Sequence, residues 1–135
     1  MAVVRTTGRF TFADWKEEPV GPEGLVPRLA RSTVVNSFTG GIEAPSTVCA
    51  YTIAYTGDTT GSYTGVELLS GAVDGREGTF LLREEGTFDA GGTRCAFEVV
   101  PGSGTGGLGG LSGSGSFEYR HGDTSVPYAF AYELG

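Results

Sequence analysis

From Gly65 to Phe88 the chain reads GVELLSGAVDGREGTFLLREEGTF, two apolar runs of strand length around a turn at Val73-Asp74-Gly75. The spacing leaves no room for a helix between them, and short apolar runs set off by glycines recur along the whole chain. Strands are predicted near Thr6–Asp14, Arg31–Phe38, Thr47–Tyr55, Ser62–Leu69, Gly78–Glu85, Arg94–Val100, Ser116–Arg120 and Pro127–Leu134. Eight strands at hairpin spacing, with no amphipathic helix, predict an all-β fold: an eight-stranded antiparallel closed barrel, since closure removes exposed sheet edges. Such a barrel has an interior that side chains fill, or that holds one small ligand.

Two segments are predicted as connections. Lys16 to Leu29, KEEPVGPEGLVPRL, carries three prolines and two glycines and is expected to be a long loop, a lid or binding loop. Gly102 to Gly115 is expected to be a glycine-rich link between strands. In the last strand Tyr128, Phe130, Tyr132 and Leu134 share one face, and Ala129, Ala131 and Glu133 share the other.

At 135 residues the chain is read as one domain, 1–135, able to bury a core without staples. Its 24 glycines sit beside 11% aromatic residues, which a disordered glycine-rich chain would lack, so they are read as turns and bulges. The net charge is −7 and Lys16 is the sole lysine, which argues against a nucleic-acid or anionic-membrane partner. No apolar window has the length of a membrane span, and MAVVRTTGRF lacks the apolar core of a signal peptide. A cytoplasmic protein with reduced thiols is expected; the sequence alone also admits one Cys49–Cys95 bridge.

GVELLSGAVDGREGTFLLREEGTF, VVPGSGTGGLGGLSGSG, the closing YAFAYEL and the opening FTFADW together resemble a bacterial family of allene oxide cyclase-like barrels, first defined as a domain of unknown function. The resemblance covers nearly the whole chain. It implies an eight-stranded antiparallel barrel packed as a homodimer or larger homo-oligomer. The wider superfamily includes plant allene oxide cyclases and dirigent proteins, which act mainly by holding a greasy substrate in a shaped cavity. Their catalytic residues do not align motif by motif with this chain, so the resemblance implies the architecture and the kind of cavity, not an active site.

Several residues are candidates for chemistry. Glu67 lies mid-strand; facing inward it would be a desolvated general acid or base, facing outward a cross-strand ion-pair partner. Arg76 could grip an anionic group at the barrel mouth, or bridge Asp74 or Glu77 in its turn. Glu84 and Glu85 alternate, so only one of them can point inward. Cys49, Tyr51, Ile53 and Tyr55 share a face, and if it is inward it forms an apolar wall with phenolic handles. Glu67 and Arg76 are the expected catalytic residues, and Trp15, Cys49, Tyr51, Tyr63 and Tyr132 the expected lining.

GTGGLG at Gly104–Gly109 fits a dinucleotide-binding pattern but lacks the helix that pattern needs, so no cofactor is expected. One histidine, His121 in a turn, and two scattered cysteines give no metal site and no catalytic triad. The expected function is binding of a small apolar molecule, with a cofactor-independent isomerisation or cyclisation in specialised metabolism. A non-catalytic carrier and a structural barrel are the alternatives.

Overall fold

In the computed structural model, which describes residues 2–135, eight antiparallel strands close into a barrel in which each strand pairs with its sequence neighbours and β8 returns to β1. They are β1 (Val4–Val20), β2 (Arg28–Gly40), β3 (Ile42–Tyr55), β4 (Gly61–Val73), β5 (Arg76–Asp89), β6 (Gly92–Val99), β7 (Leu111–Arg120) and β8 (Val126–Leu134). The only other regular element among the described residues is one 3-10 turn at Gly106–Leu108. No helix is long and apolar enough to cross a membrane.

The expected strands all form, and most run longer than predicted. Lys16–Leu29 is not a long loop: Lys16 to Val20 continue β1, and Arg28 and Leu29 open β2. Pro19 is tolerated there because β1 pairs with β8 only as far as Phe10, and beyond that with β2 alone. A strand with one open side does not miss the proline's N–H. Likewise β7 begins at Leu111, inside the predicted glycine-rich link. Its Gly115 lies opposite Phe97, and a β-carbon there would sit 2.4 Å from the Phe97 ring. The small residues are a strand surface shaped to an aromatic neighbour, not a flexible tether.

Strand alternation divides the lumen into two halves. The hairpins after β2, β4 and β6, with both chain ends, lie at one end, and those after β1, β3, β5 and β7 lie at the other. The first half is solid. Phe10, Phe38, Ile42, Leu69, Phe80 and Phe130 pack together, and Leu108 of the 3-10 turn plugs the end. The second half holds a smaller cluster around Val34, Cys49, Tyr51 and Ile53, with Tyr55, Tyr63 and Phe88 packed against it. That end stays open.

A β-bulge shapes the open end. β1 carries one extra residue between Ala13 and Lys16 relative to β2, with Asp14 at φ 57°. The added residue shifts the alternation, so Trp15 rather than Asp14 continues the lumen face of Phe10 and Phe12. On the outer wall Val48, Val66 and Leu68 are about half exposed, which settles the facing of β4: its even-numbered apolar residues look out and Glu67 looks in.

Candidate functional site

The open half of the lumen encloses a cavity of about 270 Å³. Its upper wall is aromatic, with Phe12, Trp15, Tyr55, Phe88 and Tyr119 toward the mouth. Where β8 has not yet begun, Phe12 of β1 and Tyr119 of β7 close the gap edge to face, ring centroids 5.4 Å apart. The β1 arm is fastened across the mouth by Glu17, which accepts from Trp15 Nε1–H at 3.2 Å and from Tyr55 O–H at 2.7 Å. Arg28 lies over the outer aromatic rim, its guanidinium 3.7 Å from the centre of the Tyr55 ring.

The floor of the cavity is polar, and two carboxyl groups lie behind it. Glu67 and Glu84 are 1% and 2% exposed. Their placement follows from the β4–β5 turn: Glu67 pairs with Leu82 and Gly65 with Glu84, so the two carboxyls are diagonal neighbours on one face. Asn36 Nδ2 donates to Glu67 Oε2 at 2.9 Å, and the Thr47 hydroxyl donates to the same oxygen. Tyr51 O–H donates to Glu84 Oε1 at 2.9 Å. The Cys49 and Cys95 thiols flank Glu84 at 3.7 Å and 3.8 Å.

Gly65 makes the Tyr51–Glu84 bond possible. It stands between them in the sheet, opposite Tyr51 on one side and Glu84 on the other. Having no side chain, it lets the Tyr51 ring lie across β4 and reach β5. Tyr63 crosses Gly86 in the same way, and its hydroxyl lies 2.6 Å from that of Thr93.

Burial drives the electrostatics. It pushes the Glu84 carboxyl well above the usual range, and the hydrogen bond and charge of Glu67 push it the same way. Burial and the neighbouring carboxyl thus favour the protonated form of Glu84. Glu67 receives donors from Asn36 and Thr47. The phenol of Tyr51 is also pushed up, first by burial and then by Glu84. So is the Cys49 thiol, and Cys95 is raised to about 12 by burial and Glu84. Both cysteines are free and protonated, which removes them as nucleophiles.

Cys49, Glu67 and Glu84 offer ligand atoms within 4.8 Å of one another. A cation there would have to displace the thiol proton, and Glu67 Oε2 and both Glu84 oxygens already accept hydrogen bonds. The cluster is better suited to holding a proton than a metal.

The expected site residues therefore separate. Tyr51, Tyr63 and Trp15 line the cavity, while Glu67 and Cys49 lie just behind its floor. Tyr132 is buried in the solid half, where its hydroxyl donates to Asp74. Arg76 is exposed and opens β5 opposite Val73, at the end of the barrel away from the cavity. His121 is exposed in the β7–β8 turn, and the GTGGLG run forms the plug carrying Leu108. Glu84, Asn36 and Thr47 were not among the expected site residues. Glu84 was derivable, because a two-residue turn at Asp74-Gly75 obliges Glu67 and Glu84 to share a face.

Ser32, beside Tyr51 in the sheet, has a buried hydroxyl without a hydrogen-bond partner among the described residues. Ser32→Ala is expected to leave stability within about 1 kcal/mol of the parent, because no bond is lost. Urea denaturation checks this.

A family model described as protein of unknown function (DUF3224) matches residues 6–132. The chain belongs to this family. A solved DUF3224 structure from Shewanella oneidensis MR-1, itself described as of unknown function, is similar over 99% of both chains, with 27% identity and a TM-score of 0.82. No curated protein matches the chain. These matches establish the family and its barrel.

Proposed function

We propose that this DUF3224 barrel binds one small, largely apolar molecule in the open half of its lumen and shuttles a proton on it, as a cofactor-independent isomerase or cyclase. One observation carries the reading: the aromatic cavity ends on Tyr51 and Asn36, each hydrogen-bonded at 2.9 Å to one member of a buried carboxyl pair. Dry walls fix the conformation of a bound molecule and remove the entropy of wrong conformers before reaction. Burial favours a proton on Glu84. Tyr51 can pass its phenolic proton to a substrate atom and recover one from Glu84, or relay a proton in the opposite direction. Tyr51 gives a proton at one substrate atom, and the proton lost at a second atom returns through Tyr51 to Glu84, so the isomerisation balances with no outside reagent. The kinship to allene oxide cyclase-like barrels belongs to this proposal, as does a place in specialised metabolism.

The carrier reading shares the cavity and is favoured by one feature, the position of the carboxyl oxygens one side chain behind the floor. Glu84→Gln separates the two readings. For an enzyme, turnover is expected to fall by about 10²–10⁴-fold with ligand affinity within threefold of the parent, the range for losing a general acid. Glu67→Gln is expected to act in the same direction. Stopped-flow or product assays against ligands retained by the freshly purified protein give the measurement. Unchanged turnover in both variants would remove the carboxyl pair from the mechanism.

A further inference from the structure

The cavity and its floor together specify a charge. Among the described residues no lysine, arginine or histidine is buried or lines the cavity. Two carboxyls therefore lie together in the dry interior with no protein cation against them. Removing a charge from water without a partner is costly, and proteins rarely keep one unless something compensates it. Asn36 and Thr47 offset part of that cost through hydrogen bonds. Neither supplies a positive charge.

The floor also has a polarity. The Tyr51 phenol and the Asn36 amide both spend donors on the carboxyls behind them. What remains for a ligand is an acceptor lone pair on the Tyr51 oxygen and, on Asn36, the carbonyl oxygen with the second amide N–H. A ligand that offers hydrogen-bond donors finds two acceptors there. Its body lies among the faces and edges of Trp15, Tyr55, Tyr63, Phe88 and Tyr119, a lining that attracts cations through ring quadrupoles.

Resting on the apolar-ligand reading above, we infer that the molecule this cavity takes is a small organic cation, a protonated amine on an apolar body, whose N–H groups meet Tyr51 and Asn36 and whose charge is balanced by the Glu67–Glu84 pair behind them. Carboxylic acids are excluded by the same charge. A neutral alcohol of the same shape keeps the apolar contacts and loses the electrostatic part.

Three probes of matched size and different charge test this: 2-phenylethylamine, 2-phenylethanol and phenylacetate. Each is titrated by calorimetry and by the fluorescence of Trp15, the only tryptophan, which stands at the mouth. The amine is expected to bind the parent protein at least tenfold more tightly than the alcohol, and phenylacetate to give no signal. In the Glu67→Gln/Glu84→Gln double variant the amine is expected to fall to the level of the alcohol, whose own affinity stays the same. The ranking on the parent protein stands whether or not the double variant folds. An alcohol that binds as tightly as the amine, or an amine unaffected by the double variant, overturns the charge assignment and leaves the apolar-ligand reading intact. If none of the three binds, and the neutral dye N-phenyl-1-naphthylamine is also excluded, both readings fall.

Discussion

Gly65→Val is expected to destabilise the barrel by about 4 kcal/mol, combining overpacking against backbone with the loss of a buried hydrogen bond. A β-carbon at Gly65 would lie 2.5 Å from the Ala50 carbonyl oxygen and 2.5 Å from Cδ1 of Tyr51. Neither contact can persist. The Ala50 carbonyl belongs to the β3–β4 ladder, so relieving it bends the sheet. Moving the Tyr51 ring takes its hydroxyl away from Glu84 and leaves that carboxyl without its tyrosine donor. The melting temperature should fall by more than ~10 °C, and the Trp15 response to ligand should vanish with it. Thr64→Val, one residue away on the exposed face, is the comparison and should be nearly silent. A Gly65→Val barrel melting within a few degrees of its parent would mean that Tyr51 does not depend on the glycine beneath it.

Glu84→Gln is expected to change how stability depends on pH. Burial, then Glu67, raises the folded-state affinity of Glu84 for its proton above that of an exposed glutamate. Between the unfolded value near pH 4.3 and the raised folded value, the native state holds a proton that the unfolded chain has released. Stability from this group is therefore complete at low pH and is lost as pH rises, by up to about 1.4 kcal/mol per pH unit. Glutamine is the permanent analogue of the protonated acid: it accepts from Tyr51 and donates to Glu67. The variant should gain on the parent as pH rises from about 5, just above the unfolded value, toward the raised folded one. Denaturant midpoints across that range give the difference directly, with other titrating groups common to both proteins. Parallel curves would contradict a retained proton on Glu84.

Much of this fold was legible from period-two alternation and turns. Tyr128, Phe130 and Tyr132 do share the lumen face, as do Cys49, Tyr51 and Ile53. Two stretches misled for a common reason: proline and glycine report intrinsic preference, whereas the sheet used them for what they lack. Pro19 sits where β1 needs no donor on one side, and Gly115 sits where Phe97 needs the room. The site was half legible. Alternation alone could not choose between Glu67 and its neighbours Val66 and Leu68, because a half-exposed apolar pair on the outer wall reverses the usual signal. Glu84 could be reached only by carrying register across the β4–β5 hairpin. Asn36 and Thr47 come from strands whose pairing crosses bulges, between Asn36 and Phe38 and between Glu43 and Val48, so their approach to Glu67 depends on offsets that local patterning does not encode.

The proton relay proposed for this molecule requires that Glu84 hold its proton well above the pH at which an ordinary glutamate releases it. Carbon-13 NMR of protein labelled at the glutamate side-chain carboxyl reads this directly, with Glu84→Gln assigning the resonance. The account predicts a Glu84 carbon still at the protonated position well above the ordinary glutamate value. A Glu84 resonance that titrates at the ordinary glutamate value would contradict it.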